Sequence, residues 1–141
     1  MQFSIEDSLG FIMNRTNTKL KNELLQRLKP YDVTPEQWAV LNRLWEREGL
    51  SPKELAELTS KDQPNIARIL DKLEKKGLIT RQTNPDDNRS FLIYLTDRGR
   101  ELKDELIPLA LAVLNKALRG IEQEQVKELK LLLNRIYTNL D

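Results

Sequence analysis

Apolar side chains recur every three or four residues at both ends of the chain, a spacing typical of amphipathic helices. The first series covers residues 5–28 and predicts one long helix that Pro30 ends. Two further helices are predicted near the C-terminus, over residues 96–120 and 122–140. The ends of the chain are therefore expected to be helical.

Helix-start chemistry marks three shorter helices in the middle of the chain. Residues 34–37 and 51–54 each contain Ser or Thr, then Pro, then Gln or Glu two positions later. This is the pattern of a capping box with Pro at the first helical position. A third start, Asp-Gln-Pro, lies at residues 62–64. The first of these helices is predicted to run to Gly49. The other two form a helix-turn-helix, because only three or four residues separate them.

The spacing changes after Gly77, where short apolar and β-branched segments at residues 78–83 and 91–95 flank a polar turn at 84–88. This pattern predicts one β-hairpin. A hairpin directly after a helix-turn-helix gives the element order of a winged helix-turn-helix. The predicted fold is therefore mainly α with a small β-hairpin, and residues 34–95 form the winged domain.

The flanking segments, residues 1–33 and 96–141, carry more Leu, Ile, Val and Ala than one small domain can cover. Such an apolar surplus indicates a partner surface, and the simplest partner is a second copy related by a two-fold axis. We therefore predict that both segments are dimerisation helices. The alternative is an intramolecular three-helix bundle with a fully internal core.

Composition excludes several kinds of chemistry. The 141 residues include 23 Lys and Arg and 22 Asp and Glu, a formal net charge of +1, and contain neither Cys nor His. Disulfides and thiol chemistry are excluded, and we expect no metal, cofactor or enzymatic activity. No segment has the roughly 20 apolar residues of a membrane helix. Because the N-terminus also lacks the pattern of a signal peptide, we expect a soluble cytoplasmic protein.

The second helix of the helix-turn-helix is the first candidate for contact with DNA. Its apolar side chains define an inner face, from which Arg68 points away while Asn65 and Lys72 lie on a flank. Arg can bind guanine and Asn can bind adenine through paired hydrogen bonds. Lys72, Lys75 and Lys76 are better suited to phosphates. The alternative is an ordinary solvated helix face, which two carboxylates on the same helix slightly favour.

The hairpin tip and the helix starts are further candidates. Arg89 follows the polar turn, where it could reach into a minor groove, and Asp87 could hold its side chain. The alternative is a surface ion pair without function. Backbone N–H groups near Ser51, with the hydroxyls of Thr59 and Ser60, could bind phosphate oxygens. Helix capping alone would also explain these three residues.

These features favour a dimeric protein that binds double-stranded DNA in a sequence-specific manner. A winged-helix protein–protein interaction module without DNA binding is the first alternative, and the near-zero net charge would suit it. An enzyme is the second. The chain has no His, no Cys and no Gly-rich phosphate loop, and its spacing shows no converging catalytic pair.

Four segments together carry a family resemblance: residues 51–58 (SPKELAEL), 62–79 (DQPNIARILDKLEKKGLI), 86–90 (DDNRS) and 95–100 (LTDRGR). With them, essentially the whole chain resembles the MarR (multiple antibiotic resistance regulator) family of transcription factors. The resemblance implies a homodimer with interlocked terminal helices that binds a palindromic operator, mostly as a repressor. It also implies possible release by a small anionic or phenolic effector.

By position, the resemblance implies recognition-helix contacts from Gln63, Pro64, Asn65 and Arg68, and a wing pair formed by Asp87 and Arg89. The other predicted DNA contacts are Ser51, Thr59, Ser60 and Lys72. The lack of Cys excludes the peroxide-sensing branch of the family, and the lack of His argues against the zinc-sensing branch. With a single Arg at the wing tip, we expect modest DNA affinity.

The resemblance also implies an effector crevice between the dimerisation helices and the DNA-binding lobe. The residues that could line it are Phe11, Arg15, Trp38, Leu41 and Trp45. Arg15 could pair with a carboxylate, and the aromatic side chains could enclose a ring. The alternative is that these apolar residues belong to the core.

Overall fold

The computed structural model describes residues 2–141, which form six α-helices and one two-stranded antiparallel sheet. The helices are α1 (Leu9–Leu28), α2 (Pro35–Glu46), α3 (Pro52–Thr59), α4 (Gln63–Lys75), α5 (Asp97–Ala117) and α6 (Gln123–Asn139). The strands are β1 (Ile79–Asn84) and β2 (Asp87–Leu95), and short 3-10 helices lie at Ile5–Asp7 and Lys29–Tyr31. The predicted fold class, mainly α with a β-hairpin wing, is confirmed.

The three central helices begin through the predicted side-chain caps. The Thr34 hydroxyl accepts the N–H of Gln37 at 3.1 Å, and the Gln37 side chain accepts the N–H of Thr34 at 3.3 Å. Ser51 and Glu54 form the same reciprocal pair at 3.1 and 3.2 Å. The Asp62 carboxylate caps α4. Because each cap satisfies N–H groups that a helix start leaves unpaired, local sequence alone places these boundaries.

The winged domain has one apolar core, and the predicted inner face of α4 forms part of it. All four of its apolar residues are buried: Ile66, Ile69, Leu70 and Leu73. Among the core residues from α2, α3 and β2 are Val40, Leu41, Leu44, Leu55 and Ile93. Burial of this face leaves the opposite face of α4 for other contacts.

The hairpin is tighter than predicted. β1 and β2 pair with Ile79 opposite Leu95, and the pairing extends to Asn84 opposite Asp87. The predicted turn at residues 84–88 is therefore too long. The Asn84 side chain accepts the N–H of the residue two positions later at 2.9 Å, which closes the turn over two residues.

The helix α2 ends at Glu46, three residues before the predicted end at Gly49. Gly49 has a φ of 77°, a backbone conformation that favours glycine. Its N–H donates to the carbonyl of Ile93 at 2.8 Å, and the N–H of Ile93 donates to the carbonyl of Leu50 at 2.8 Å. Pairing with the wing thus replaces the last helical turn.

The start of α5 lies directly against the winged domain. Thr96 caps the helix by accepting the N–H of Gly99 at 3.1 Å, and Trp45 Nε1 donates to the Gly99 carbonyl at 2.9 Å. Gly99 is buried, and a Cβ atom at this position would lie 2.2 Å from the carbonyl oxygen of Leu78. Only glycine permits this approach.

The terminal helices do not form a closed bundle. α1 packs against α5, but α6 makes no extensive contact with the rest of the described chain and has no buried residue. Its exposed apolar side chains include Leu129, Leu131, Leu132 and Tyr137. The alternative of an internal three-helix bundle is therefore wrong. None of the helices within residues 2–141 contains the long apolar stretch that crossing a lipid bilayer requires.

Candidate nucleic-acid interface

The outer face of α4 presents a coupled Asn–Arg pair. Arg68 is exposed and Asn65 is half-buried. The Arg68 guanidinium donates to the Asn65 side-chain oxygen one helical turn earlier. This contact engages one lone pair of the oxygen that Asn65 would offer to an adenine amino group, and it orients the remaining donors of Arg68. The pair is therefore better suited to contact with guanine through Arg68 than to two independent base contacts.

The other predicted residues of α4 lie in solvent. Gln63 and Pro64 in the first turn and Lys72 further along are exposed. Lys72, the one charged residue of the three, has no ion pair within the described chain. Lys72 is therefore free to meet a phosphate, as the sequence predicted, and that contact stays a prediction.

The lysine that follows α4 has a structural partner. Lys76 Nζ donates to the side chain of Gln37 at 2.8 Å and to the carbonyl of Asp32, and it lies 3.6 Å from the Asp32 carboxylate. Gln37 is the buried polar residue of the core. Lys76 thus fixes the α1–α2 connection, and the interpretation of Lys76 as a phosphate contact loses its support.

The predicted donors around α3 are largely used inside the chain. The Ser51 hydroxyl accepts the N–H of Glu54, and the Thr59 hydroxyl donates to the Leu55 carbonyl at 2.6 Å. Ser60 is exposed and has a φ of 55° at the end of α3. Capping explains Ser51, a local hydrogen bond explains Thr59, and Ser60 keeps its hydroxyl available.

The wing tip carries one extended cation. The Arg89 side chain is 94% exposed, and its Nε lies 3.6 Å from the Asp87 carboxylate. The same carboxylate accepts the backbone N–H of Arg89 at 3.0 Å. Asp87 therefore fixes the backbone at the start of β2 while leaving most of the guanidinium in solvent, and the contact of this pair with DNA stays a prediction.

A residue that the sequence analysis missed joins the wing to α4. Arg81 on β1 donates to the Asp71 carboxylate and lies 3.7 Å from the Glu74 carboxylate. Its guanidinium also lies 5.8 Å from the centre of the Phe91 ring. The two carboxylates that slightly favour a solvated helix face in the sequence thus have a basic partner. Their one-turn spacing on α4, followed by a single Arg on the next strand, was the available signal.

A carboxylate ties the wing to α5. Glu48 accepts from Arg100 at 3.0 and 3.1 Å and from the N–H of Leu95 at 2.8 Å. The hydrogen bond from Arg100 is the main reason that the pKa of Glu48 lies below its ordinary value. Because these hydrogen bonds favour the charged form, Glu48 holds the base of the wing and the first turn of α5 together.

The five residues predicted for an effector fall into two groups. Trp38 and Trp45 pack edge to face with ring centres 5.6 Å apart, and Leu41 has no exposed surface. Arg15 lies over the ring of Phe11 at 5.3 Å. Of the five, only Arg15 lines the groove of ≈ 900 Å³ between α1 and α5.

This groove is basic. Besides Arg15, it is lined by Lys19, Lys116 and Arg119 and by one carboxylate, Glu23. Lys116 donates to Glu23 at 2.7 Å, and this contact lowers the pKa of Glu23. The other three cations keep their charge uncompensated. Among residues 2–141, no group of three or more Asp or Glu side chains could hold a metal ion.

The fold, the exposed α4 face and the wing cation define a winged helix-turn-helix protein. The MarR family pattern matches residues 33–91. A probable transcriptional regulator from Pseudomonas aeruginosa is 30% identical, with a TM-score of 0.88 over 94% of this chain and 99% of that one. A mutant MarR from E. coli complexed with operator DNA is 29% identical, with a TM-score of 0.86 over 91% and 92% of the two chains.

A third solved structure, CouR from Rhodococcus jostii RHA1 bound to p-coumaroyl-CoA, is 25% identical to this chain. Its TM-score is 0.85, and the match covers 96% of this chain and 95% of CouR. The chain thus belongs to the MarR family of transcriptional regulators, and the resemblance predicted from its sequence is confirmed.

Proposed function

We propose that this regulator binds a palindromic operator as a homodimer and acts as a repressor. The observation that carries the proposal is the pair of exposed cations, Arg68 on α4 and Arg89 on the wing, presented by adjacent elements of one lobe. An exposed helix of a helix-turn-helix suits the major groove, and a basic wing suits the minor groove. The MarR structure complexed with operator DNA supports the same mode.

In this proposal, Arg68 contacts a base and Asn65 orients the Arg68 side chain. Gln63 and Pro64 pack against the major groove. Arg89, oriented by Asp87, enters the minor groove. The remaining predicted contacts bind phosphates and set the register of the protein on the duplex: Ser51, Thr59, Ser60 and Lys72. At Ser51 the available donor is the hydroxyl, which accepts from Glu54 but keeps its own hydrogen, because the Ser51 N–H is bonded to the Glu54 carboxylate. The Thr59 hydroxyl would have to leave the Leu55 carbonyl before it could donate to a phosphate.

The proposed dimer uses residues 1–33 and 96–141. The unpartnered apolar face of α6 supports it, since a soluble monomer rarely exposes such a surface. A two-fold axis would present two α4 helices to half-sites about one helical turn apart, roughly 10–10.5 base pairs. Operator binding also requires the protein to share a compartment with DNA, for which we retain the expected cytoplasmic location.

We extend the proposal to release by a small anionic or phenolic effector. The basic groove around Arg15 supports an anionic ligand, and CouR provides an example of a structurally similar regulator bound to p-coumaroyl-CoA. A ligand can shift the protein away from DNA only if it binds one spacing of the α4 helices better than another.

Addition of p-coumaroyl-CoA or benzoate should then weaken operator binding in wild type. Arg15→Ala should lose this response, and Lys21→Ala, which lies outside the groove, should keep it.

The deciding experiment is selection of bound duplexes from a random pool, followed by a fluorescence-anisotropy titration at several salt concentrations. We expect paired half-sites one helical turn apart and an affinity that falls steeply with salt, because phosphate contacts release counterions. An affinity independent of salt, or recovery of no duplex, would contradict the proposal. Co-purification with one fixed protein and no duplex would instead favour a protein-interaction module.

A further inference from the structure

Arg81 connects the two elements that the proposed function assigns to DNA. It lies on β1, yet its ion-pair partners Asp71 and Glu74 both belong to α4. Its aromatic partner, Phe91, belongs to β2. One side chain therefore contacts the recognition helix and the opposite strand of the wing at the same time.

The environment of Arg81 is that of a fixed contact rather than a mobile surface pair. Its side chain is only 26% exposed, and its Nε atom is almost completely buried and has no hydrogen bond within the described residues. A guanidinium that contacts two carboxylates and also lies over an aromatic ring has few alternative positions. The wing is thus held at one angle to α4.

This angle determines how far Arg89 lies from Arg68. Arg68 precedes Asp71 by one turn of α4, and Arg89 projects from the far end of the hairpin that Arg81 anchors. A protein that must place two cations in different grooves binds more tightly when their separation is set before binding, because less conformational freedom is lost.

We propose that Arg81 is a positioning residue for DNA binding: it fixes the wing on α4 so that Arg89 and Arg68 reach the duplex together. The inference rests on the proposed function. It also accounts for Asp71 and Glu74, whose negative charges would otherwise face the phosphates of a bound duplex. Arg81 offsets part of this negative charge and uses both carboxylates as its anchor.

The first test measures the wing in the free protein by amide hydrogen exchange. Arg81→Gln should speed exchange in residues 84–91 by about tenfold, with no change in buried segments of α5. Asp71→Asn, which removes the anchor from the α4 side, should have an effect in the same direction. Arg98→Gln is the matched control, because Arg98 also pairs with two carboxylates, at 2.7 and 3.8 Å, but within α5. Unchanged exchange at the wing in both test variants would overturn the proposal.

The second test is a double-mutant cycle on the selected operator. In the wild-type background, Arg81→Gln should weaken operator binding by about tenfold. In the Arg89→Ala background the same substitution should have little effect, because the wing then has no cation to position. Equal losses in both backgrounds would show that Arg81 acts independently of Arg89 and would overturn the proposal. Arg98→Gln should leave affinity unchanged.

The two tests separate this inference from the proposed function. If wild-type protein binds no duplex, the proposed function fails, and the hydrogen-exchange result still decides whether Arg81 fixes the wing. If wild type binds its operator but the cycle shows no coupling, the proposed function stands and the positioning role is wrong.

Discussion

At the scale of single residues, the exposed cations of the winged domain differ in what they are free to do. Lys72 and Arg89 extend into solvent, Arg68 is oriented by Asn65, and Lys76 is held by the α1–α2 connection. Sequence periodicity could not separate these cases, because Lys72 and Lys76 look equally basic along the helix. Only the partners contributed by other elements distinguish them.

Replacement of Arg68 by Ala tests base recognition. We expect affinity for the selected operator to fall by about 1–3 kcal/mol, with a smaller loss on a scrambled duplex, because a base contact is removed. Lys72→Ala is the comparison: it should weaken binding about equally on both duplexes and reduce the salt slope by about one. Competition fluorescence anisotropy measures, for each variant, the ratio of its affinities for the selected operator and the scrambled duplex. If Arg68→Ala weakened both duplexes equally, Arg68 would not be a base contact.

Glu48 gives a prediction about pH. Its pKa is lowered in the folded protein, chiefly by the hydrogen bond from Arg100, so it stabilises the fold at pH values above the ordinary 4.5 of a glutamate. This contribution is lost as the pH falls below 4.5 through the lowered folded-state pKa. At neutral pH, Glu48→Gln should cost about 1 kcal/mol.

Urea unfolding from pH 7 to pH 3 measures this effect. The difference in the free energy of unfolding between wild type and Glu48→Gln should disappear at acid pH. Glu57→Gln is the control, because Glu57 is exposed and forms no ion pair with any described residue. A gap that stayed constant with pH would assign the effect of Glu48 to packing rather than to its charge.

At the scale of elements, the winged domain is joined by contacts that local sequence does not reveal. The caps of α2, α3 and α4 were predictable because each involves residues within one turn. The early end of α2 and the short turn of the hairpin were not. The early end of α2 follows from backbone pairing with a strand that is distant in sequence. The short turn of the hairpin follows from strand pairing that continues up to the turn.

Gly99 is the clearest of these junctions. Gly99→Ala should lower the free energy of unfolding by about 3 kcal/mol, because its Cβ would lie 2.2 Å from a backbone oxygen that cannot move aside easily. Gly10→Ala is the matched substitution in open space, with no heavy atom within 4 Å, and should raise stability by about 0.5 kcal/mol. Thermal and urea unfolding provide the comparison. Similar effects of the two substitutions would contradict the close approach of α5.

At the scale of the whole molecule, the chain is incomplete without a partner surface. In α6, apolar residues recur at spacings of three and four along one face, from Val126 through Leu129 and Leu133 to Ile136. Leu129 remains 49% exposed. In the proposed dimer this face is covered by the second copy, and that geometry sets the distance between the two α4 helices.

Leu129→Glu should therefore convert the dimer into a monomer at micromolar concentration, because a buried charge without a partner is costly. Sedimentation velocity measures the mass, and operator binding should be lost while helical circular dichroism is largely kept. Thr138→Glu adds the same charge on the other side of α6 and should leave the dimer intact. A Leu129→Glu protein that remained dimeric would contradict the use of this face.

Local sequence specifies the order of the elements, the helix starts and the buried face of α4, because capping and amphipathic spacing act within a few residues. It also indicated Arg68, through its place on the outer face of the helix, and Arg89, through its place after the polar turn, and the family resemblance supported both. Which polar groups already have partners is visible only in the folded chain. Lys76 and Thr59 are occupied, the predicted effector residues are divided between core and surface, and Arg81 anchors the wing. Whether a side chain is available depends on neighbours far away in the chain, which no local pattern specifies.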